Sequence, residues 1–148
     1  MTDADRRAEA MRMLEHEVGV MLRRVRKGIG ERATAVHPEL SSTSFTLLVT
    51  LAETGPKRAA DLAEIFALDK GSVSRLVHQL VDLGLIERVP DPNDGRASIL
   101  GLTEDAVRRL AAMREERFQQ FDARLATWAP GEIRDLAERL ERFNETLS

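Results

Sequence analysis

The chain has 148 residues, of which 43% are apolar, 32% charged and 4% aromatic, the profile of one ordinary helical domain with its own core and long solvated faces. A formal net charge of −3 excludes attraction of an acidic partner by bulk charge, so any basic surface must come from the placement of particular side chains. The absence of cysteine excludes disulfides, thiolate metal ligation and oxidation sensing by a thiol.

The first residues lack the apolar h-region of a secretory signal, and no run approaches the roughly 18 apolar residues of a membrane span; a cytoplasmic protein with no membrane association is expected. Residues 3–29 read as a long amphipathic helix in which Met11, Leu14, Val18, Met21, Leu22, Val25 and Ile29 step by three and four. Arg23, Arg24, Arg26 and Lys27 are expected in its last turns, where cations complement the helix dipole, with Gly28 and Gly30 weakening it there. His37-Pro38 closes a linker, because the residue before proline is biased away from helix. A second helix over residues 44–53 should bury Phe45, Leu48, Leu51 and Ala52 and stop at Gly55-Pro56. Lys57 and Arg58 then lie in a loop.

In the next stretch Leu62, Ala63, Ile65 and Phe66 make the apolar face of a short helix. Asp69 is placed to cap a second one, in which Val73, Leu76, Val77, Leu80 and Leu83 recur at three- and four-residue spacing. That pattern turns Ser72, Ser74, Arg75, His78 and Gln79 outward. Gly84 suits a left-handed cap, residues 85–89 alternate like a strand, and Pro90-Asp91-Pro92-Asn93-Asp94-Gly95 is turn chemistry before a returning strand over 97–102. Helix, turn, helix, hairpin is the order of a winged helix-turn-helix, a mainly α fold. A helix of this width fits the major groove of DNA, where Arg75 would meet base edges. Arg96, just past the hairpin tip, could enter a minor groove with Asp94 holding its guanidinium, and Lys57 and Arg58 could touch phosphate. The candidate DNA-binding set is Lys57, Arg58, Lys70, Ser72, Ser74, Arg75, His78, Gln79, Arg88, Asp94 and Arg96.

After the hairpin, Thr103 caps a helix whose first turn carries Glu104 and Asp105. It runs to about Trp128 with Ala106, Leu110 and Met113, then Phe118, Phe121, Leu125 and Trp128; the stripe slips by one position between Met113 and Phe118. Pro130-Gly131 opens a last helix in which Ile133, Leu136, Leu140, Phe143 and Leu147 keep a 3-4-3-4 spacing, a coiled-coil-like seam. A winged domain of about 70 residues covers its own core, so apolar rows at both ends of the chain need a partner. The expected arrangement is a homodimer with a seam of Met11, Leu14, Phe121, Leu125, Trp128, Ile133, Leu136, Leu140, Phe143 and Leu147; the alternative is an intramolecular bundle.

Several of these residues together resemble the MarR family of bacterial transcription regulators: Asp61-Leu62-Ala63, Val73-Ser74-Arg75-Leu76-Val77, Leu80 with Gly84-Leu85-Ile86-Glu87-Arg88, and Asp94-Gly95-Arg96 followed by Leu102-Thr103. Gly95 stands where that family commonly has a second arginine, and Ala106 where it commonly has a glycine. The resemblance implies a single domain over 1–148, with dimerisation helices at 1–36 and 104–148 flanking a winged helix-turn-helix at 44–103. It implies a two-fold dimer, and a ligand pocket between the dimerisation helices and the winged region, lined by Leu22, Val25, Phe45, Leu48, Leu110 and Met113 with His37 at its mouth. A small aromatic or amphiphilic ligand would suit such a pocket.

Catalytic constellations are missing: the three histidines, His16, His37 and His78, fall on separate elements, and there is no HExxH, Walker-type glycine loop or GxSxG. His37 with Glu39 could contribute to a metal site, but without clustered ligands no metal or cofactor is expected. The chain is therefore read as no enzyme but a transcriptional regulator, a ligand-responsive repressor that binds double-stranded DNA at a pseudo-palindromic operator as a homodimer. The alternative is a dimeric helical protein-interaction module that has lost DNA binding.

Overall fold

A computed structural model describes residues 2–147. The element order is α1 (Asp3–Val36), α2 (Ser42–Thr54), α3 (Ala59–Ile65), α4 (Lys70–Asp82), β1 (Ile86–Asp91), β2 (Asp94–Leu102), α5 (Glu104–Arg124) and α6 (Pro130–Glu145). Two compact units divide the chain, one through Ala111 and one from Ala112. Among the described residues no helix is long and apolar enough to cross a membrane.

The first unit is built on residues with almost no exposed surface: Ala33 and Val36 of α1, Phe45, Leu47, Leu48 and Leu51 of α2, Leu62 of α3, Val73, Val77 and Leu80 of α4. Leu85 and Ile86 extend this core into the hairpin, where Leu100 meets it, and Ala106 and Leu110 close it from the start of α5. Burying one such leucine contributes about 1.5–3 kcal/mol. In the hairpin, β1 and β2 pair antiparallel from Ile86↔Leu102 to Pro90↔Ser98. Lys57 and Leu100 exchange both backbone bonds, at 3.1 and 2.8 Å, so the chain entering α3 adds a short third rung to the sheet.

The helices α2, α4 and α5 each start where a side chain satisfies a free N–H group of the first turn. Ser41 Oγ accepts from Ser44 N at 3.0 Å, Asp69 Oδ1 from Ser72 N at 2.8 Å, and Thr103 Oγ1 from Ala106 N at 3.2 Å. Between α3 and α4 the turn places Ala67 at φ 49°, left-handed backbone that costs a residue with a Cβ about 1–2 kcal/mol. Gly84, at φ 69°, ends α4 as expected.

Three expectations give way. The first helix does not stop at 29 but runs to Val36, through Gly28 and Gly30, because burial of Ala33 and Val36 outweighs a glycine cost of about 1 kcal/mol each. Arg23, Arg24, Arg26 and Lys27 are therefore mid-helix, not at a C-terminal dipole, and no basic residue occupies the last turn of α1. Its terminal carbonyl, on Val36, accepts instead from Arg109 Nη1 at 3.1 Å. In α2, Ala52 is exposed and Leu47 buried in its place. In α3 only Leu62 is buried; Ile65 is 53% exposed, since a seven-residue helix has little more than one face turn to bury.

The second unit holds the rest of α5 and α6. Phe118, Phe121 and Trp128 are exposed, as are Ile133, Leu136, Leu140 and Leu147, while Leu125 and Phe143 are half-buried. The helix before the Pro130 turn ends at Arg124, four residues short of Trp128.

Candidate nucleic-acid interface

The surface that could meet DNA begins with the geometry of α4. Val73, Val77 and Leu80 anchor its inner face, and Lys70, Ser74, Arg75 and His78 are all exposed on the other. Its cap is doubly bonded: besides the backbone bond, Asp69 Oδ2 accepts from Ser72 Oγ at 2.6 Å, and this hydroxyl bond is the main reason the Asp69 carboxyl lies below the usual carboxylate range. Ser72 Oγ in turn accepts from Arg75 Nη2 at 3.0 Å. The chain Asp69, Ser72, Arg75 thus orients a guanidinium beside the first turn of α4. Among the described residues, Arg75 has no carboxylate within ion-pair distance, so its charge is available to an outside acceptor. A shallow cleft of about 540 Å³ lies along the helix, lined by Glu39, Ser74, Arg75, His78, Gln79, Asp82 and Leu83.

Two expected members of this face do other work. Ser72 is half-buried and serves the cap. Gln79 turns toward α2: its Oε1 accepts from the fully buried Ser44 Oγ at 3.3 Å and its Nε2 donates to the Glu39 carbonyl at 3.3 Å. The helical spacing left Gln79 outward, but a buried hydroxyl on α2 needs an acceptor, and Gln79 supplies it.

The wing presents Arg88 and Arg96 as exposed cations. The ladder breaks between Pro90 and Asp91: Pro90 opposes Ser98 but Asp91 opposes Asp94, so Gly95, Arg96 and Ala97 bulge out of β2 without partners. Asp94 does not hold the Arg96 guanidinium. Its Oδ1 accepts from the Arg96 backbone N–H at 3.1 Å, an Asx-type turn bond that fixes the main chain and leaves the side chain free of any carboxylate partner among the described residues.

The basic pair before α3 is engaged inside the chain. Lys57 is half-buried and its Nζ donates to the Thr54 carbonyl at 3.2 Å. Arg58 Nε and Nη2 both donate to Asp91 Oδ2, at 2.8 and 2.6 Å. Asp91 is the partner the sequence did not announce: a carboxylate 7% exposed, whose other oxygen accepts from Asn93 N at 2.9 Å. That backbone bond first, and the Arg58 guanidinium next, hold the Asp91 carboxyl below the usual range; the same pairing raises Arg58 further above its ordinary value. The Asp-Pro-Asn turn is a local signal for the first bond, but nothing in the spacing announces a partner 33 residues away.

The residues expected to line a ligand pocket are spread. Phe45, Leu48 and Leu110 are close-packed core at 4%, 0% and 2% exposure, Met113 is buried, and Leu22 and Val25 are exposed on α1. Because α1 is unbroken to Val36, Leu22 lies about 20 Å along the helix axis from His37, more than one small ligand can span. His37 is half-buried, and its Nδ1 accepts from Glu39 N at 3.2 Å. Among the described residues no cluster of His, Asp and Glu is placed to hold a metal ion. Of the expected dimer seam, Met11 and Leu14 on α1 are exposed at 52% and 43%, and the α5 and α6 members stand as given above.

A capped helix with an available arginine beside a two-stranded wing is the arrangement that comparison with known proteins bears on. The MarR family model matches residues 40–98, which runs from α2 into β2. The HTH-type transcriptional regulator YxaD of Bacillus subtilis is 34% identical over 134 residues, covering 90% of this chain and 92% of that protein. The chain belongs to the MarR family. It is a transcriptional regulator with a winged helix-turn-helix that binds DNA, as the family does. The HTH-type transcriptional repressor NicR of Pseudomonas putida is 35% identical over 79 residues, 53% of this chain and 50% of that protein. In fold, a MarR family protein from Bacillus stearothermophilus aligns at a TM-score of 0.73, with 20% identity over 92% of this chain and 96% of that one.

Proposed function

We propose that this MarR-family chain is a homodimeric repressor that binds a pseudo-palindromic duplex operator. The observation that carries the reading is that Arg75 on α4 and Arg96 on the wing are both exposed and both lack a carboxylate partner among the described residues, although neighbouring Arg58 has one. A helix that enters the major groove and a wing that follows the adjacent minor groove need cations at those two places. Lys70, Ser74, His78 and Arg88 complete the contact surface, and residues 44–103 form the DNA-binding region. The dimerisation region, 1–36 and 104–148, is supported by two rows of large apolar side chains in which Leu14, Met21, Leu136 and Leu140, among others, stand 38% exposed or more. Rows of this length are covered by a second copy of the chain in the two-fold arrangement that a palindromic site requires. Repression is supported by the likeness to NicR, a transcriptional repressor.

Release by a small amphiphilic ligand completes the proposal, with the exposed Leu22 and Val25 as apolar surface for it. Thermodynamic reciprocity gives its check: the ligand must weaken DNA binding by the factor by which DNA weakens ligand binding. The experiment for the DNA-binding reading is a titration of duplexes selected from a randomised pool, compared with unselected duplex, using the wild type and Arg75→Ala. Arg75→Ala should lose about 1–3 kcal/mol on selected DNA and much less on unselected DNA. An equal loss on both would make Arg75 a phosphate contact and remove it from sequence reading.

A further inference from the structure

The register of the hairpin fails where the wing meets DNA. Pro90 has no N–H for the ladder, the pairing jumps from Pro90↔Ser98 to Asp91↔Asp94, and Arg96 sits in the unpaired bulge between. Beyond the break the only strand pair is Asp91↔Asp94, so the continuous ladder ends before the tip. What remains at that point is one carboxylate with both oxygens used. Asp91 Oδ1 closes the tip turn through Asn93 N, and Oδ2 takes two bonds from Arg58, the residue that precedes α3. Arg58 is itself fixed, since its backbone N donates to Asp61 Oδ2 at 3.2 Å. A two-pronged guanidinium bond to a carboxylate fixes direction as well as distance.

We infer that Arg58 and Asp91 are positioning residues for DNA binding: the pair clamps the wing tip to the start of the helix-turn-helix so that Arg96 is presented in one orientation, and Arg58 is not itself a phosphate ligand. The inference rests on the DNA-binding reading above. It assigns a negatively charged residue a favourable part in binding a polyanion, which separates it from any account by charge alone. It also accounts for a buried carboxylate placed within reach of a DNA-facing loop, where an uncompensated charge would repel phosphate.

Asp91→Asn keeps the shape of the side chain and its turn bond and removes one negative charge. On duplexes selected from a randomised pool, charge alone requires tighter binding than wild type. The clamp requires binding about tenfold weaker, the effect of one misplaced arginine contact. It also requires that the loss vanish in an Arg96→Ala background, where there is nothing left to present. Arg58→Lys is the second variant and stands in if Asp91→Asn does not fold. Lysine keeps the charge but cannot make the two-pronged bond, so the clamp predicts the same loss, whereas a phosphate contact would survive the exchange. Thermal melts of each variant ensure that binding is read on folded protein. Binding by Asp91→Asn as tight as wild type or tighter, a full binding by Arg58→Lys, or losses that add completely with Arg96→Ala would each overturn the inference. If the wild type bound no selected duplex, the DNA-binding reading itself would fall and take the inference with it.

Discussion

Placing a charge in the apolar row of α6 should take the molecule apart. Ile133, Leu136 and Leu140 follow one stripe and are 39%, 40% and 38% exposed in the single chain. Full burial of such a side chain stabilises by about 1.5–3 kcal/mol, so covering the remaining two-fifths contributes about 0.6–1.2 kcal/mol each. Two-fold symmetry repeats the row, and the three positions together give about 4–7 kcal/mol to a dimer interface before the cost of association. Leu140→Asp removes that contribution at its position and adds an unpaired carboxylate, whose burial costs several kcal/mol in each copy. The loss matches or exceeds what the row supplies, so the variant should sediment as a monomer at concentrations where the wild type, under the proposed arrangement, sediments as a dimer. DNA affinity should drop with it, since two half-sites can no longer be held at once. Leu140→Ala should be intermediate. A Leu140→Asp variant that remains dimeric by sedimentation and binds DNA as the wild type does would contradict this, and the row would then be covered within the chain.

Arg96→Ala should weaken DNA binding and leave the melting temperature unchanged, because the exposed side chain has no carboxylate partner among the described residues; the loss should be largest on sites flanked by A·T tracts, whose narrow minor groove attracts arginine. A parallel drop in melting temperature would contradict its exposed placement. Leu48→Ala, at a position with 0% exposure, should cost about 2–5 kcal/mol in denaturant unfolding. For acid stability, the Asp91 carboxyl titrates lower in the folded chain than unfolded, so its stabilisation is present above about pH 4 and disappears as pH falls through the folded value. Unfolding followed from neutral to acid pH should therefore show a steeper loss for wild type than for Asp91→Asn, and parallel curves would contradict the pairing.

Local rules made much of this molecule legible. Asp69, Ser72 and Gly84 act at the spacings that capping chemistry requires, and Val73, Val77 and Leu80 are buried as their three- and four-residue steps demand. The parts that sequence could not supply are those where a distant group overrides a local preference. Gln79 belongs to the outer pattern of α4 but answers Ser44, 35 residues earlier. Arg58 looks like a loop cation and is bound to Asp91 across 33 residues. Gly28 and Gly30 look like a helix end, yet burial of Ala33 and Val36 carries the helix through them. The bulge that frees Arg96 follows from Pro90 and the tip turn together, a register that neither segment specifies alone.

The proposed two-fold molecule would read duplex DNA with α4 and the wing of each copy. Footprinting of the wild-type protein on genomic or pool-selected duplex tests this most directly. Two α4 helices in successive major grooves predict a protected inverted repeat with half-sites about 10 bp apart, lost together in Arg75→Ala. A single unrepeated half-site, or protection that Arg75→Ala leaves in place, would contradict it.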